Sequence, residues 1–373
     1  MSTFKTRPRC RACRGPDGQV VLDLGMQPAS DYFPARYDPG PDPVYPLQMW
    51  LCARCGLAQL LSDPTVPEEP RGAEPAALVE QAGDAVNRVA ADGWLRSGMG
   101  VVEYGSPHGG SWVPLLEERG LSVVPDGRRA DVVLDCFGLM HEARQDAALA
   151  QRVADVAPGG VLLVQYHSLA TILRLGQWNS LRHGHYGYYS TPALVAMLAQ
   201  VGFTAQSAWQ FDLYGGTVLL ASTRAQESGS RAGESVRRLL ETEHGLGVRN
   251  PERFRELQRS IARRADAVRD WLVRQRSAGA TVIGYGAASR AVSLLCHARV
   301  DSRLLPAVAD ASQAKQGRRM PGTDIPVIDP EEMIARRPNL VLLLLPDLLG
   351  EVRMDLPDIE DHGGRWATVD EVT

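Results

Sequence analysis

Four cysteines in two Cys-x-x-Cys pairs set the strongest constraint on how the first 60 residues can fold. Cys10 and Cys13 form one pair, and Cys52 and Cys55 form the other. Each pair places two thiolates on one tight turn, and two such turns supply the tetrahedral sulfur set that suits Zn(II). Four thiolates leave no open coordination position, so the spacing predicts a structural zinc ion. The alternative is four reduced thiols without a metal.

The other cysteines, the charge and the apolar runs limit the class of protein. Cys136 and Cys296 are isolated, and no apolar h-region follows the basic residues near the N-terminus. We therefore expect reduced thiols and a cytoplasmic location. No apolar run reaches the roughly 18 residues of a membrane span, and the net charge of −4 offers no basic field for nucleic acid. We expect a small-molecule substrate and neither a nucleic-acid nor a membrane partner, with the oligomeric state open.

Buried-strand patterns alternate with helical patterns from about residue 76 onward, which predicts parallel sheets with right-handed crossovers. The predicted strands cover residues 100–104, 130–137, 160–166, 217–222, 280–284, 304–310 and 340–345.

The chain of 373 residues is too long for one ordinary domain. We predict an α/β protein in three parts. A small zinc-binding module and linker cover residues 1–75, and a first α/β domain covers 76–225. Residues 226–373 are predicted to form a helical bridge and a second α/β domain. The charged pattern over 231–275 predicts a solvated helix that serves as the bridge.

A set of short motifs follows one order along nearly the whole chain. They are Leu-Asp-Leu-Gly-Met-Gln-Pro at 22–28, Cys-Gly-Leu-Ala-Gln-Leu at 55–60, Glu-Tyr-Gly-Ser-Pro-His-Gly at 103–109, His-Gly-His-Tyr-Gly-Tyr-Tyr-Ser at 183–190, Tyr-Gly-Gly-Thr at 214–217 and Gly-Tyr-Gly-Ala-Ala-Ser-Arg at 284–290. Together with the cysteine pairs, these motifs resemble the deoxysugar C-methyltransferases of antibiotic pathways. The resemblance implies a Rossmann-like methyltransferase domain, which we expect to be truncated in this chain, followed by a C-terminal Rossmann-like domain that binds a nucleotide sugar.

The resemblance also implies a reaction. In that family, S-adenosylmethionine methylates a sugar carbon beside the ketone of a nucleotide-linked keto-deoxysugar. His185 stands where the family has the base that removes the proton next to the ketone, with His183 and Tyr189 in the same run. Gly105 and Gly109 stand in the S-adenosylmethionine loop.

The resemblance places substrate-binding residues in the C-terminal domain. These are Tyr285, Arg290, Lys315 and Arg318. Arg290 lies at a Gly-rich strand-to-helix turn, where backbone N–H groups favour an anion, and a guanidinium can bind a diphosphate bidentately. For Lys315 and Arg318, the alternative is a solvated turn.

This chain departs from the family pattern at the methyl-donor site. Nine residues, 121–129, separate the helix predicted at 112–120 from the strand at 130–137. A parallel crossover needs about a dozen residues, so we expect that the second strand, its helix and the third strand cannot all fit. We also expect the loss of the carboxylate that binds the ribose of S-adenosylmethionine. His108 stands at an acidic position of the loop, and Pro-Glu-Glu-Pro-Arg at 67–71 replaces a tyrosine-containing stretch.

The run around His185 departs as well, because Arg182 replaces a tyrosine and Gly184 replaces a glutamate. The sequence therefore predicts a base without its neighbouring carboxylate. Three hypotheses follow. The chain is a sugar C-methyltransferase-like enzyme; or an isomerase or lyase that forms the same enolate without S-adenosylmethionine; or a non-catalytic homologue that assists a glycosyltransferase.

Overall fold

The computed structural model describes residues 8–38, 40–65, 75–105, 110–225 and 231–373. His108, Gly109 and the run at 67–71 lie outside these residues. Among the helices of the described ranges, none is both long enough and apolar enough to cross a membrane.

Strands and helices alternate along most of the described chain. The strands are β1 (Gly18–Pro28), β2 (Val44–Cys52), β3 (Ala58–Leu60), β4 (Gly100–Tyr104), β5 (Ser122–Val123), β6 (Ala130–Cys136), β7 (Val156–His167), β8 (Gly187–Tyr188), β9 (Phe203–Phe211), β10 (Thr217–Arg224), β11 (Val282–Tyr285), β12 (Val308–Ala309), β13 (Val327–Ile328), β14 (Leu340–Leu343) and β15 (Arg365–Thr368). The helices are α1 (Ala76–Ala91), α2 (Val113–Glu117), α3 (Gln145–Ala154), α4 (Leu169–Leu175), α5 (Thr191–Gln200), α6 (Glu234–Leu246), α7 (Pro251–Ser277), α8 (Ser289–His297), α9 (Pro330–Ala335), α10 (Leu349–Asp355), α11 (Asp358–Asp361) and α12 (Val369–Val372).

The N-terminal segment forms an antiparallel sheet with the strand order β1-β2-β3-β8. Its last strand comes from the histidine run, because Ala58 in β3 pairs with Tyr188 in β8. The sheet also shares an apolar core with α7, where Leu22 and Leu47 belong to the same buried cluster as Phe254. The zinc module is thus built into the rest of the molecule on two sides.

The second sheet has six strands in the order β5-β4-β6-β7-β10-β9. Strands β4, β6 and β7 are parallel, as predicted, and the runs of Val and Leu in β6 and β7 are buried on both faces. Strand β10 is antiparallel to both β7 and β9, so the prediction of a wholly parallel sheet is wrong at this edge. The α/β fold class is confirmed.

The shortened region keeps a trace of the second strand. Strand β5 has two residues and pairs with β4 at Val101, whose other neighbour is Val132 in β6. Because β5 ends level with the start of β6, six residues (124–129) are enough to join them without a helix. As predicted, a second strand, its helix and a third strand do not all fit in this region, and a two-residue strand remains.

The third sheet is parallel throughout, with the order β13-β12-β11-β14-β15. In chain order this is 3-2-1-4-5, the arrangement of a Rossmann-like sheet. The turn from β11 to α8 leaves from the carboxyl end of the central strand, and Gly286 adopts a φ of +91° there. The predicted C-terminal Rossmann-like domain is present.

The charged segment at 231–275 forms two helices instead of one. Gly247 ends α6 with a φ of +69°, and the Asn250 side chain accepts a hydrogen bond from the N–H of Glu252 at the start of α7. The face of α7 that carries Leu257 and Val268 is buried against the N-terminal sheet. The prediction of a wholly solvated bridge is therefore wrong, because α7 is amphipathic.

Candidate active site and zinc centre

The four cysteines converge on one point. Their Sγ atoms all lie within 4.8 Å of one another; Cys10 is 3.5 Å from Cys55, and Cys13 is 3.6 Å from Cys52. A Zn–S bond of about 2.3 Å places neighbouring sulfurs of a tetrahedron about 3.8 Å apart, so this donor set fits Zn(II). The contact with the Cys55 sulfur lowers the pKa of the Cys10 thiol to about 5, which favours the thiolate that binds metals.

The histidine run follows the edge of the N-terminal sheet and then enters α5. At its centre, Gly184 has a φ of +80°, and its N–H donates to the Asp63 carboxylate at 2.6 Å. A Cβ at this position would lie 3.6 Å from Oδ2 of Asp31. Two carboxylates from the N-terminal segment therefore flank the turn at Gly184, and the absence of a carboxylate neighbour for His185 itself stays a prediction.

His185 lies beside a second histidine that the sequence analysis did not single out. The ring centroids of His185 and His141 are 4.5 Å apart, at an interplanar angle of 86°. The guanidinium of Arg182 donates to Nε2 of His185 at 2.8 Å, and His185 is 7% exposed. His141 ends the short turn after β6, so its place at the carboxyl end of a parallel strand is the signal that could have found it.

The other two predicted catalytic residues occupy different surroundings. His183 is buried against β2, with its ring edge-on to Tyr45 and Nε2 3.4 Å from the carbonyl oxygen of Pro46. Burial lowers its pKa. Tyr189 is buried against Tyr166, and its hydroxyl donates to Oε1 of Gln145. The catalytic roles of His183 and Tyr189 stay predictions.

The carboxyl ends of the parallel strands meet at one edge of the six-stranded sheet. Gly105 follows β4 there, and a Cβ on Gly138, which follows β6, would lie 3.0 Å from the Gly105 carbonyl oxygen. Glu103 anchors the far side of the loop, since its carboxylate accepts hydrogen bonds from the Ser111 hydroxyl and from the N–H of Trp112 at 2.7 Å.

The predicted S-adenosylmethionine site is incomplete among the described residues. Strand β5 ends at Val123 and carries no carboxylate; Asp126, exposed to solvent, is the first acidic residue after it. Gly109, the second glycine of the predicted loop, lies outside the described residues. The described residues therefore do not supply the ribose-binding group that the resemblance implies at the end of this strand.

The C-terminal domain meets the same edge of the sheet through Arg290. Its guanidinium donates to Asp347 at 2.7 Å and lies 5.9 Å from the centroid of the Tyr214 ring. Tyr214 in turn lies 6.3 Å from His167 at the end of β7. Burial and the charge of Arg290 lower the pKa of His167 to about 4, so this imidazole is neutral at physiological pH.

The remaining predicted substrate residues surround the Gly-rich turn. Tyr285 packs against Trp366, and burial raises its pKa to about 12. Lys315 is buried, and its ammonium donates to the carbonyl oxygen of Ala287 at 3.0 Å, so the solvated-turn alternative is wrong for this residue. Arg318 is exposed and donates to the carbonyl oxygen of Phe33 at 2.8 Å. Phosphate binding by Lys315 and Arg318 stays a prediction.

Comparison with known proteins agrees with this layout. A family model described as "Putative zinc binding domain" matches residues 10–69, and one described as "C-methyltransferase C-terminal domain" matches residues 212–369. The C-methyltransferase NovU of Streptomyces niveus is 23% identical over 395 residues, covering 96% of this chain and 94% of NovU. The chain is therefore similar to C-methyltransferases in its N-terminal and C-terminal parts and to NovU over nearly its whole length.

Solved methyltransferase structures align with about two fifths of this chain at low similarity. Magnesium protoporphyrin IX methyltransferase ChlM of Synechocystis PCC 6803 is 15% identical, with 40% of this chain and 84% of ChlM covered and a TM-score of 0.30. The CcbJ methyltransferase of Streptomyces caelestis is 15% identical, with 39% and 90% covered and a TM-score of 0.27. The strand orders described above carry the fold assignment.

A buried carboxylate holds the helix that follows the histidine run. Glu243 in α6 is 1% exposed, and it accepts hydrogen bonds from the N–H and the hydroxyl of Thr191, both at 2.7 Å. Thr191 is the first residue of α5. Burial raises the pKa of Glu243 to about 7, although both hydrogen bonds lower it.

The raised pKa of Glu243 predicts that the stability of the protein depends on pH. The folded pKa of about 7 exceeds an ordinary value of 4.5, so the folded state binds more protons between these limits and the free energy of unfolding falls as the pH rises from 4.5 to 7. The difference corresponds to about 3 kcal/mol. Glu243→Gln removes the charge and keeps an acceptor for Thr191. In urea titrations, the variant should gain about 3 kcal/mol relative to wild type between pH 4.5 and 7.5. Glu241→Gln, on the exposed face of the same helix, should show no such gain; an equal pH dependence in wild type and Glu243→Gln would contradict the assignment.

Proposed function

We propose that this chain binds a nucleotide-activated keto-deoxysugar, or a similar carbonyl compound, and removes the proton from the carbon next to the ketone with His185. One observation carries the proposal: the rings of His185 and His141 lie 4.5 Å apart where the parallel strands of the sheet end. Ligands of α/β sheets bind at this edge, and imidazole is the side chain best suited to general-base work near neutral pH.

Arg182 supports this role. Its guanidinium donates to Nε2 of His185, so that nitrogen carries a lone pair instead of a proton. When the substrate C–H takes the place of the guanidinium at this lone pair, the cation stays beside the carbonyl and stabilises the enolate oxygen as charge develops there. His141, edge-on to the same ring, is placed to return a proton.

The C-terminal domain supplies the nucleotide side of the proposal. Arg290 follows the Gly-rich turn in the first turn of α8, and its guanidinium lies 5.9 Å from the Tyr214 ring centroid, so a diphosphate bound there would direct the sugar toward the ends of β6 and β7. The diphosphate would replace Asp347 as the partner of the Arg290 guanidinium, with bidentate geometry.

Two activities are possible after the enolate forms, and they differ in what the enolate reacts with. The similarity to the C-methyltransferase NovU supports methylation, for which bound S-adenosylmethionine would supply an electrophilic methyl group. The direct β5–β6 connection, with no carboxylate at the end of β5, supports the second candidate, in which the enolate is reprotonated on its other face or expels a β-substituent. The second candidate is an isomerase or lyase that uses only the residues of this chain.

Deuterium uptake from solvent tests the shared step. The protein is incubated in D2O with a panel of nucleoside-diphosphate 4-keto-6-deoxyhexoses, and deuterium at the carbon next to the ketone is located by NMR. Uptake supports proton abstraction; no uptake with any member of the panel overturns the proposal in favour of a non-catalytic homologue.

Calorimetry with S-adenosylmethionine then separates the two activities. Micromolar binding with a methylated product identifies a methyltransferase, and uptake without binding identifies the isomerase or lyase.

A further inference from the structure

We propose that Arg11, inside the first cysteine pair, is a positioning residue that couples the zinc centre to both histidine-bearing loops. The loops are the segment 139–146 around His141 and the segment 182–190 around His185. The functional part of the inference rests on the proposed function of the two histidines; the structural part does not.

Arg11 is bonded to the His141 loop through its side chain and its backbone. Its Nη1 donates to the carbonyl oxygen of Ala143 at 2.9 Å, two residues beyond His141. Its own carbonyl oxygen accepts a hydrogen bond at 3.1 Å from the N–H of Asp146, at the start of α3. The turn between the two zinc ligands thus fixes the segment that carries His141 at two points.

The same guanidinium contacts the His185 loop. Its central carbon lies 4.7 Å from the centroid of the Tyr186 ring, which follows His185 directly. Its Nε donates at 3.1 Å to the carbonyl oxygen of Leu60, whose N–H donates to the carbonyl oxygen of Tyr186 at 3.3 Å. Because one planar group touches both loops, it holds the two histidines in register with each other.

The two loops are also joined without Arg11, which limits the expected effect of removing it. The N–H of Tyr186 donates to the carbonyl oxygen of Met140 at 2.6 Å. Gln145 is fully buried; its amide donates to the carbonyl oxygens of Leu139 and Glu142, both at 2.7 Å, and accepts from Tyr189. An Arg11 variant should therefore fold with displaced loops.

Metal binding gives this link its rigidity. Arg11 lies between Cys10 and Cys13, so a metal that binds both sulfurs fixes the backbone from which the guanidinium extends. Around the metal site, Cys10 and Cys55 pack in the same buried cluster as Leu139 and Met140. A shift of about 1 Å in a positioned group can cost about 100-fold in rate. The zinc centre is thus proposed to control the geometry of the histidine pair and not only the stability of the module.

The test compares Arg11→Ala and Arg11→Lys with Arg54→Ala as the matched control. Arg54 is an exposed arginine inside the second cysteine pair. Each zinc-loaded protein is assayed for zinc content by mass spectrometry, for amide hydrogen exchange in peptides covering 139–146 and 182–190, and for deuterium uptake by the keto-sugar substrate.

Arg11→Ala should keep its zinc, lose protection in both peptides, and lower kcat by about 10- to 100-fold with KM little changed. Arg11→Lys should recover part of both effects, because lysine can reach the Ala143 carbonyl but lacks the planar fork. Arg54→Ala should behave as wild type.

Two results would overturn the inference. One is a zinc-loaded Arg11→Ala with wild-type protection in both peptides. The other is equal loss of protection in Arg11→Ala and Arg54→Ala, since the effect would then belong to the knuckles in general. If Arg11→Ala does not retain zinc, Arg11→Lys decides between the same outcomes. If the wild type itself shows no deuterium uptake by substrate, the proposed function fails, and the amide exchange still decides whether Arg11 couples the metal to the loops.

Discussion

Replacing His185 with alanine is expected to slow deuterium uptake by the substrate by about 10²- to 10⁴-fold, the usual contribution of a positioned general base. The ring is nearly buried, in contact with the Arg182 guanidinium and with the His141 ring. The loss should fall on kcat, because the proposed nucleotide site lies elsewhere, near Arg290. Uptake is followed by NMR over time at saturating substrate.

A matched substitution controls for the loss of an imidazole as such. His362 is exposed at the end of α11, far along the chain from the proposed site, and its Nδ1 contacts the backbone oxygen of Asp358. His362→Ala should exchange deuterium at the wild-type rate, and both variants should melt near the wild-type temperature. An uptake rate for His185→Ala within about threefold of wild type would remove His185 from the role of base.

The second large effect is expected on removal of zinc. The N-terminal sheet is small, and structural zinc in isolated zinc-finger peptides contributes about 10–16 kcal/mol to folding. A substantial part of this stabilisation should be lost in Cys52→Ser or on chelation, because Cys52 ends β2 and the sheet extends from it to β8. Zinc content, the melting temperature and amide exchange in β1–β3 are the measurements.

Another cysteine provides the control for this prediction. Cys296 is partly buried in α8 and lies outside the four-sulfur cluster, with its Sγ 3.7 Å from the carbonyl oxygen of Pro321. Cys296→Ser should keep its zinc and most of its stability. Wild-type stability and protection in a zinc-free Cys52→Ser protein would show that the four cysteines are reduced thiols without a metal role.

Local patterns predicted the parts of the fold that local interactions determine. The spacing of Cys10, Cys13, Cys52 and Cys55 predicted one site, and the sulfurs do converge. The apolar runs predicted the buried parallel strands, because strands buried on both faces read as continuous Val and Leu. The two-residue β5 escaped prediction, since the crossover rule assumes strands of ordinary length.

Contacts between distant segments could not be predicted in this way. Ala58 pairs with Tyr188 across 130 residues, and the Asp63 carboxylate caps the N–H of Gly184 across 121. In each of these two contacts, the sequence around one residue gives no indication of its partner. His141 follows a predicted strand, but its pairing with His185 was missed for the same reason, because it appears only when the end of β6 and the histidine run are brought together in space.

A crystal structure of the protein with a bound nucleoside-diphosphate 4-keto-6-deoxyhexose tests the central claim most directly. The account predicts the carbon next to the ketone about 3–3.5 Å from a ring nitrogen of His185, the distance of a near-attack geometry. It also predicts the ketone oxygen within hydrogen-bond reach of Arg182 and the diphosphate at Arg290. A sugar bound with its ketone away from both His185 and His141 would contradict the account.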